Sequence, residues 1–540
     1  MRAATGVPGM FIQKALRVQI GRATLDPPPR CIRPSAARPG GLVPTLTRLP
    51  LVKCRSRRQP APFLSAASVA TTESDRHFGP GTWAHHYMIV AAAVCGATLL
   101  LAAGGVLADP PTAPNDMSLT LHGVTFYGLI DMGLQYNTHA APVSDYYLSS
   151  TGAVIQKNGN KPLFAVVSNN MAVSRVGLKG DEPLADDLSG VFELTTFFAP
   201  HSGEFVNCLK SLTLNNGKPL NEQTTGIDCP FAGQPFERAA YAGVSSARYG
   251  ALTFGRQRTL MGDGFVQYDP APSLVFSVIG FSGIPGGGGD GEDLILDSTV
   301  KYAAKYGVLH VGGLYQFGGS GTSMNSAVQA QIGTEFAAGS LDAFYEHKNN
   351  AIIASSLSAT QVAALPSLGY SVSNSLAGTV SDNTAYAVTG RYSFGAPQIF
   401  AGYEHIEYAN PVHPLAPGYA DLGGYLLAFV NHTAYEHHRI LQIFWTGLRY
   451  SVTPTVDLAA AYYGYRQNSY ATGANAGCTS NKSPSCSGAL NGWSLSADWR
   501  FTKRFDAYGG TLWTSVRDGS SSGYLNTSNI ATTVGIRYSF

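Results

Sequence analysis

From about residue 118 onward, apolar and other side chains alternate along segments of about ten residues. The final segment, 529–540, shows the pattern best. Val534, Ile536, Tyr538 and Phe540 share one parity, while Thr533, Gly535, Arg537 and Ser539 share the other. A period of two puts successive side chains on opposite faces of an extended strand. The apolar face ends in two aromatics, as an interfacial girdle requires. Leu448-Arg449-Tyr450-Ser451 and Gly390-Arg391-Tyr392-Ser393-Phe394 repeat the alternation.

Sixteen such segments follow one another. They begin near Leu119, Met171, Leu188, Phe236, Gly250, Ser298, Val308, Ala327, Ser340, Asn383, Pro397, His438, Pro454, Asn491, Phe505 and Asn529. Their connections alternate in length. Residues 395–397, 452–454 and 502–504 make short turns, whereas 199–235, 350–382 and 409–437 make long loops. Short turns at one end and long loops at the other are the signature of an outer-membrane barrel. In lipid no water pairs with an open strand edge, so such a sheet must close on itself. The pattern predicts an all-β fold, a sixteen-stranded antiparallel transmembrane β-barrel with short periplasmic turns and long external loops. A barrel of 16–18 strands leaves an aqueous channel rather than a filled core.

Composition narrows the alternatives. Only 13% of the residues are charged, against about 25% in soluble domains. The hydrophobic share of 44% excludes a disordered chain. The only sustained apolar run is 88–108, so a bundle of spanning helices, each of about 20 apolar residues, is excluded.

That run divides the chain. Residues 1–87 carry thirteen Lys/Arg and three Asp/Glu, and include Lys53-Cys54-Arg55-Ser56-Arg57-Arg58. They read as a basic, unstructured extension, consistent with a start codon placed too far upstream. Residues 88–108 read as a signal peptide. The apolar core ends in Val106-Leu107-Ala108, with small residues at the positions a signal peptidase requires. The mature chain is then expected to begin near Asp109 and to form the barrel over 109–540. Its charge is −8, from twenty-three basic and thirty-one acidic residues. Export implies an oxidising compartment. Four cysteines remain there, and their spacing pairs Cys208 with Cys229 and Cys478 with Cys486.

At this point the residues resemble the general diffusion porins of Gram-negative bacteria, particularly the trimeric β-proteobacterial type. Residues 118–124 with Tyr127-Gly128-Leu129-Ile130-Asp131 look like the family's first strand, and 174–182 like its second. Residues 237–244 and 253–257 resemble its fourth and fifth. Tyr538 and Phe540 resemble the family's C-terminal insertion signal. The resemblance covers essentially all of 118–540. It implies a homotrimer of sixteen-stranded pores in outer-membrane lipid and lipopolysaccharide, with the third external loop folded inward. No Arg stands just before Ser298, where relatives often add a basic wall residue, and residues 1–87 have no counterpart.

Parity assigns the pore lining separately. With Val176 and Leu178 toward lipid, Arg175 and Lys179 face the lumen. With Ala239 and Tyr241 outward, Arg238 faces in. With Val300 and Tyr302 outward, Lys301 faces in. A charge facing lipid at mid-membrane costs about 2–4 kcal/mol, which favours these inward placements. Arg256 shares the parity of Leu252 and Phe254 and is expected to point outward. The inward loop, 258–297, carries Asp263, Asp269, Asp290, Glu292, Asp293 and Asp297. An acidic loop opposite a basic wall would set a transverse field across the constriction.

Other signals carry little. Gly286–Gly291 lacks the Lys-Ser/Thr of a phosphate loop. His432, His437 and His438 do not share one strand face, so no metal is expected. No Ser/His/acid set converges by parity, so an enzyme is not expected, nor is any cofactor or nucleic-acid partner. The expected function is passive diffusion of ions and small hydrophilic solutes. A substrate-selective porin is the alternative, and a barrel adhesin or surface enzyme the more distant one.

Overall fold

The computed structural model describes residues 119–279, 294–318, 325–471 and 485–540. The alternating segments become sixteen antiparallel strands. They are β1 (Val124–Ala140), β2 in two segments (Lys161–Ser168 and Arg175–Ala185), β3 (Leu188–Ala199), β4 (Ala239–Ser246), β5 (Gly250–Arg258), β6 (Ile295–Tyr306), β7 (Leu309–Gln316), β8 (Ala327–Phe336), β9 (Gly339–Ser355), β10 (Ser375–Ser393), β11 (Pro397–Ala409), β12 (Arg439–Thr453), β13 (Val456–Gln467), β14 (Gly488–Arg500), β15 (Phe505–Asp518) and β16 (Ser528–Ser539). Each pairs with its chain neighbour, and β1 pairs with β16 from Leu129↔Ser539 to Asn137↔Ala531. That last ladder closes the sheet, so no barrel edge is left unpaired.

The distribution of side chains is inverted relative to a soluble protein. On β1, Phe126, Ile130 and Leu134 are 40–44% exposed, while Asp131 and Gln135 between them are almost fully buried. The apolar row faces outward and the polar row lines the interior, as a lipid-embedded barrel requires.

Seven turns of two to four residues join alternate strand pairs at one end. The eight loops at the other end are long: L1 (141–160), L2 (200–238), L3 (259–294), L4 (317–326), L5 (356–374), L6 (410–438), L7 (468–487) and L8 (519–527). Helices α1 (Cys208–Thr213), α2 (Leu260–Tyr268) and α3 (Ala359–Leu368) sit in L2, L3 and L5.

Two strands depart from the sequence reading. β2 starts at Lys161, not near Met171, and is broken over 169–174. Asp131 holds the break: its Oδ2 accepts from the Met171 and Ala172 N–H groups at 2.7 and 2.9 Å. β10 starts at Ser375, not near Asn383. Its extension pairs with the L6 strand Tyr425–Asn431, above the bilayer-facing part of the wall. In the β2 extension Phe164 and Val166 are exposed on the same outward face as Leu134 of β1 while Val167 is buried, so the two-residue period is present there.

Candidate functional site

L3 turns into the lumen because its apolar residues find a matching wall there. Thr259 caps α2, accepting from the Gly262 N–H at 3.0 Å. Leu260, Met261, Phe265, Phe276 and Val278 join one buried cluster with wall residues Phe344, Trp445, Tyr463 and Tyr508. Burial of each large apolar side chain stabilises by roughly 1.5–3 kcal/mol. Trp445 lies flat because its register partner is Gly402, where a Cβ would meet the indole ring at 2.0 Å. The indole then donates to the Tyr268 carbonyl at 3.0 Å. Arg449 donates to the Asp269 and Pro270 carbonyls at 3.0 and 3.1 Å. L3 is thus fastened to β8, β9 and β12–β15, and the open space lies on the side of β1–β4 and β16.

That space is a cavity of about 570 Å³. Its charged lining is Arg175, Arg238, Arg258, Arg537, Asp263 and Asp269. Arg238 ion-pairs with Glu193, which also accepts from the Tyr127 hydroxyl at 2.6 Å and the Tyr241 hydroxyl at 3.1 Å. Arg258 Nε and Lys301 Nζ hold the two oxygens of Asp263 at 2.7 and 2.8 Å. Burial works against the Asp263 charge, but Lys301 and Arg258 keep its carboxyl below the usual range. Arg537 reaches Asp506 through Nε and Nη2 at 3.0 and 2.6 Å. Arg175 donates to the Val173 carbonyl at 3.3 Å and has no carboxylate partner among the described residues.

L2 roofs the cavity with Ile227 and Phe231. A disulfide joins Cys208 to Cys229, and both sulfurs pack in a buried cluster with Val206, Phe231, Phe197 and Tyr147. Beyond it, Asp228 accepts from the Ala354 N–H at 2.8 Å and Asn216 from the Leu357 N–H at 2.7 Å. L2 therefore reaches from β3 and β4 to β9 and L5 of the same chain. Cys486 is also disulfide-bonded; Cys478 lies outside the described residues.

The remaining sequence-singled residues sort as follows. Lys179 faces the lumen, its ammonium 5.4 Å from the Tyr127 ring centroid, but does not line this cavity. Lys301 stands behind it through Asp263. Asp269 is buried and accepts from the Tyr463 hydroxyl at 2.7 Å; burial raises its carboxyl above the usual range. Asp297 belongs to β6 rather than to the loop and pairs with Arg256 at 2.7 Å, in a separate cavity between L2 and the external ends of β6–β9. Asp290, Glu292, Asp293 and the Gly286–Gly291 run lie outside the described residues. The Phe540 N–H and carbonyl exchange hydrogen bonds with Gly128 at 3.0 and 2.9 Å. The Phe540 ring lies 5.7 Å from Phe126 and 5.9 Å from Tyr538.

Two facings are corrected. Tyr241 and Ala239 point inward, because Tyr241 is register partner to lumen-facing Glu193 and Val244 is on the exposed parity. Arg238 still reaches the lumen because it precedes β4, where strand parity does not apply. Arg256 does not point out to solvent: a bulge between Gly255 and Gln257 shifts the register, and its guanidinium donates to Asp297 and to the Pro230 carbonyl. Sequence reasoning also missed Arg258 and Arg537. Arg537 sat on the inward parity of the last strand, so its signal was available. Arg258 is at the end of β5, where the chain leaves the wall. A Ser150, Ser168 and His201 cluster at 2.9–3.2 Å was missed too; both serines are fully buried, and it clamps L1, β2 and L2 together.

A closed barrel narrowed by an inward loop over a basic wall is the architecture of a porin. The chain belongs to the Gram-negative porin family, which it matches over residues 91–519. It is 30% identical over 150 residues to an outer membrane porin protein of Bordetella pertussis, spanning 27% of this chain and about a third (31%) of that protein. The anion-selective porin from Comamonas acidovorans overlays with a TM-score of 0.51 at 15% identity, covering 77% of this chain and 99% of that one. A loop-deleted form of OmpT of Vibrio cholerae overlays at 0.48 and 16%, covering 77% and 99%. At 15% identity the likeness to the Comamonas porin is one of fold.

Proposed function

We propose that the protein is an outer-membrane porin: a water-filled channel through which ions and small hydrophilic solutes diffuse passively, with anions favoured. One observation carries this reading. The barrel is closed and apolar outside, and L3 narrows its interior to a cavity bearing, among the described residues, four arginines and two aspartates. Burial favours the uncharged form of one of those aspartates, Asp269. At a narrow point water screens charge poorly, so the excess of positive side chains acts on passing ions. Charged pore linings select ions in this way.

The same reading includes a homotrimer seated in lipid and lipopolysaccharide, supported by the exposed apolar rows of the wall and by family membership. Export through a cleaved signal over 88–108, with a mature start near Asp109, fits the residue pattern at that site; these residues lie outside the described ones. Purified protein in a planar bilayer should give large, non-saturating unitary currents in KCl, with a reversal potential of the anion-preferring sign under a salt gradient. Absence of unitary currents would overturn the channel reading, and a cation-preferring reversal potential would overturn the preference. Sequencing of the membrane-inserted protein's N-terminus checks the processing site.

A further inference from the structure

The cavity between L3 and the basic wall combines two features that a purely aqueous constriction does not need. The first is a charge without a counterpart. Among the described residues, Arg238 is matched by Glu193, Arg258 by Asp263 and Arg537 by Asp506, while Arg175 is left with a backbone carbonyl. The second is apolar surface open to the lumen. Val266, on α2, is 50% exposed within the barrel, and Met171, Val173 and Leu274 border the same space. Covering such surface is favourable in proportion to its area. The cavity volume of about 570 Å³ falls in the range of small-molecule sites, roughly 300–1,000 Å³.

We infer that this cavity is a selective site for small organic monocarboxylates with an apolar body, the carboxylate meeting the Arg175 guanidinium and the apolar body covering Val266 and its neighbours. The inference rests on the channel reading above and gives it a solute class. A planar guanidinium presents paired N–H donors that match a carboxylate. A single guanidinium with no carboxylate bound to it among the described residues suits a monoanion better than a dianion. The apolar wall excludes small, strongly hydrated ions from the same energetic gain.

The test is the effect of added solutes on KCl current through single channels. Benzoate should reduce the current saturably. Acetate lacks the apolar body, benzyl alcohol lacks the charge, and inorganic phosphate lacks the one and exceeds the other; each should need at least about tenfold more solute for the same block. Arg175→Gln should weaken benzoate block by about tenfold or more, with Arg175→Lys recovering part of it. Val266→Ser should weaken benzoate block while leaving the weak acetate effect unchanged. Lys305→Gln, at an exposed ion pair with Glu335, should change neither. Benzoate block no stronger than acetate block, or unchanged in Arg175→Gln, overturns the inference while the channel reading stands. Absence of any unitary current overturns the channel reading itself. Should Arg175→Gln fail to assemble, the four solutes on the wild-type protein decide alone.

Discussion

Lys301 Nζ on the barrel wall lies 2.8 Å from Asp263 Oδ2 on the L3 helix. Arg258 holds the other oxygen of the same carboxylate. This loop acid is thus already neutralised by two cations, so it offers little free negative charge to the lumen. Asp263→Asn should therefore release positive charge into the lumen. The reversal potential of a bilayer under a KCl gradient should move further toward anion preference, with barrel assembly retained. A move toward cations would show that Asp263 serves some other balance.

Arg175, at the start of the second segment of β2, and Arg238, just before β4, line the cavity on either side of β3. Replacing both by Glu removes two positive charges and adds two negative ones. The pore should shift toward cations at 0.1 M salt, and the shift should shrink at 1 M as the Debye length falls from about 10 Å to about 3 Å. The Arg238 substitution also leaves Glu193 opposite a like charge, so heat stability of the assembled form should fall as well. An unchanged reversal potential in an assembled double variant would remove both residues from the constriction.

The Cys208–Cys229 bridge closes a loop of sequence separation 21 whose ends the barrel already holds. In a free chain a closure of that size stabilises by roughly 3 kcal/mol in the chain-entropy model. Here its effect should be local. Replacing both cysteines with Ser should leave barrel melting little changed and raise protease cleavage within L2. A large loss of barrel stability would contradict that view.

Burial pushes the Glu237 carboxyl, at the foot of L2, up to about 9, against a weaker opposing pull from the Gly233 N–H and Arg256. An exposed glutamate titrates near about 4.3. The folded state therefore favours the protonated acid, so its contribution is complete below about pH 4 and is lost as pH rises through about 9. L2 in the wild type should become more exchange-labile between pH 6 and pH 9.5. Glu237→Gln, which keeps an acceptor for the Gly233 N–H, should flatten that dependence. Hydrogen exchange of L2 amides at the two pH values measures both.

Phe540 pairs through its backbone with Gly128 and places its ring beside Phe126. Deleting it removes the final rung of the closing ladder. The yield of assembled protein should drop several-fold, while conductance per assembled pore stays near wild type. Equal yields of the two proteins would count against a role in closure.

The alternation along 118–540 by itself determined sixteen strands, their order and the sidedness of the turns, because lipid outside and water inside impose a two-residue period wherever the wall meets the bilayer. It also placed Arg175, Lys179 and Lys301 inward, since one parity settles a regular strand. What it did not settle lies where regularity stops. Arg238 precedes its strand, Arg256 follows a bulge, Arg258 stands where the chain leaves the wall, and β2 is interrupted around Asp131. At those points the side-chain direction is set by backbone turns and by partners on other elements, 5 to 45 residues away along the chain. Only the tertiary structure decided that Asp263 is matched by Lys301 and Arg258, that Asp297 pairs elsewhere, and that Arg175 faces the lumen without an acidic partner among the described residues. Ion pairing depends on distances of a few ångströms between separate elements, and a periodic pattern along one strand carries no measure of those distances.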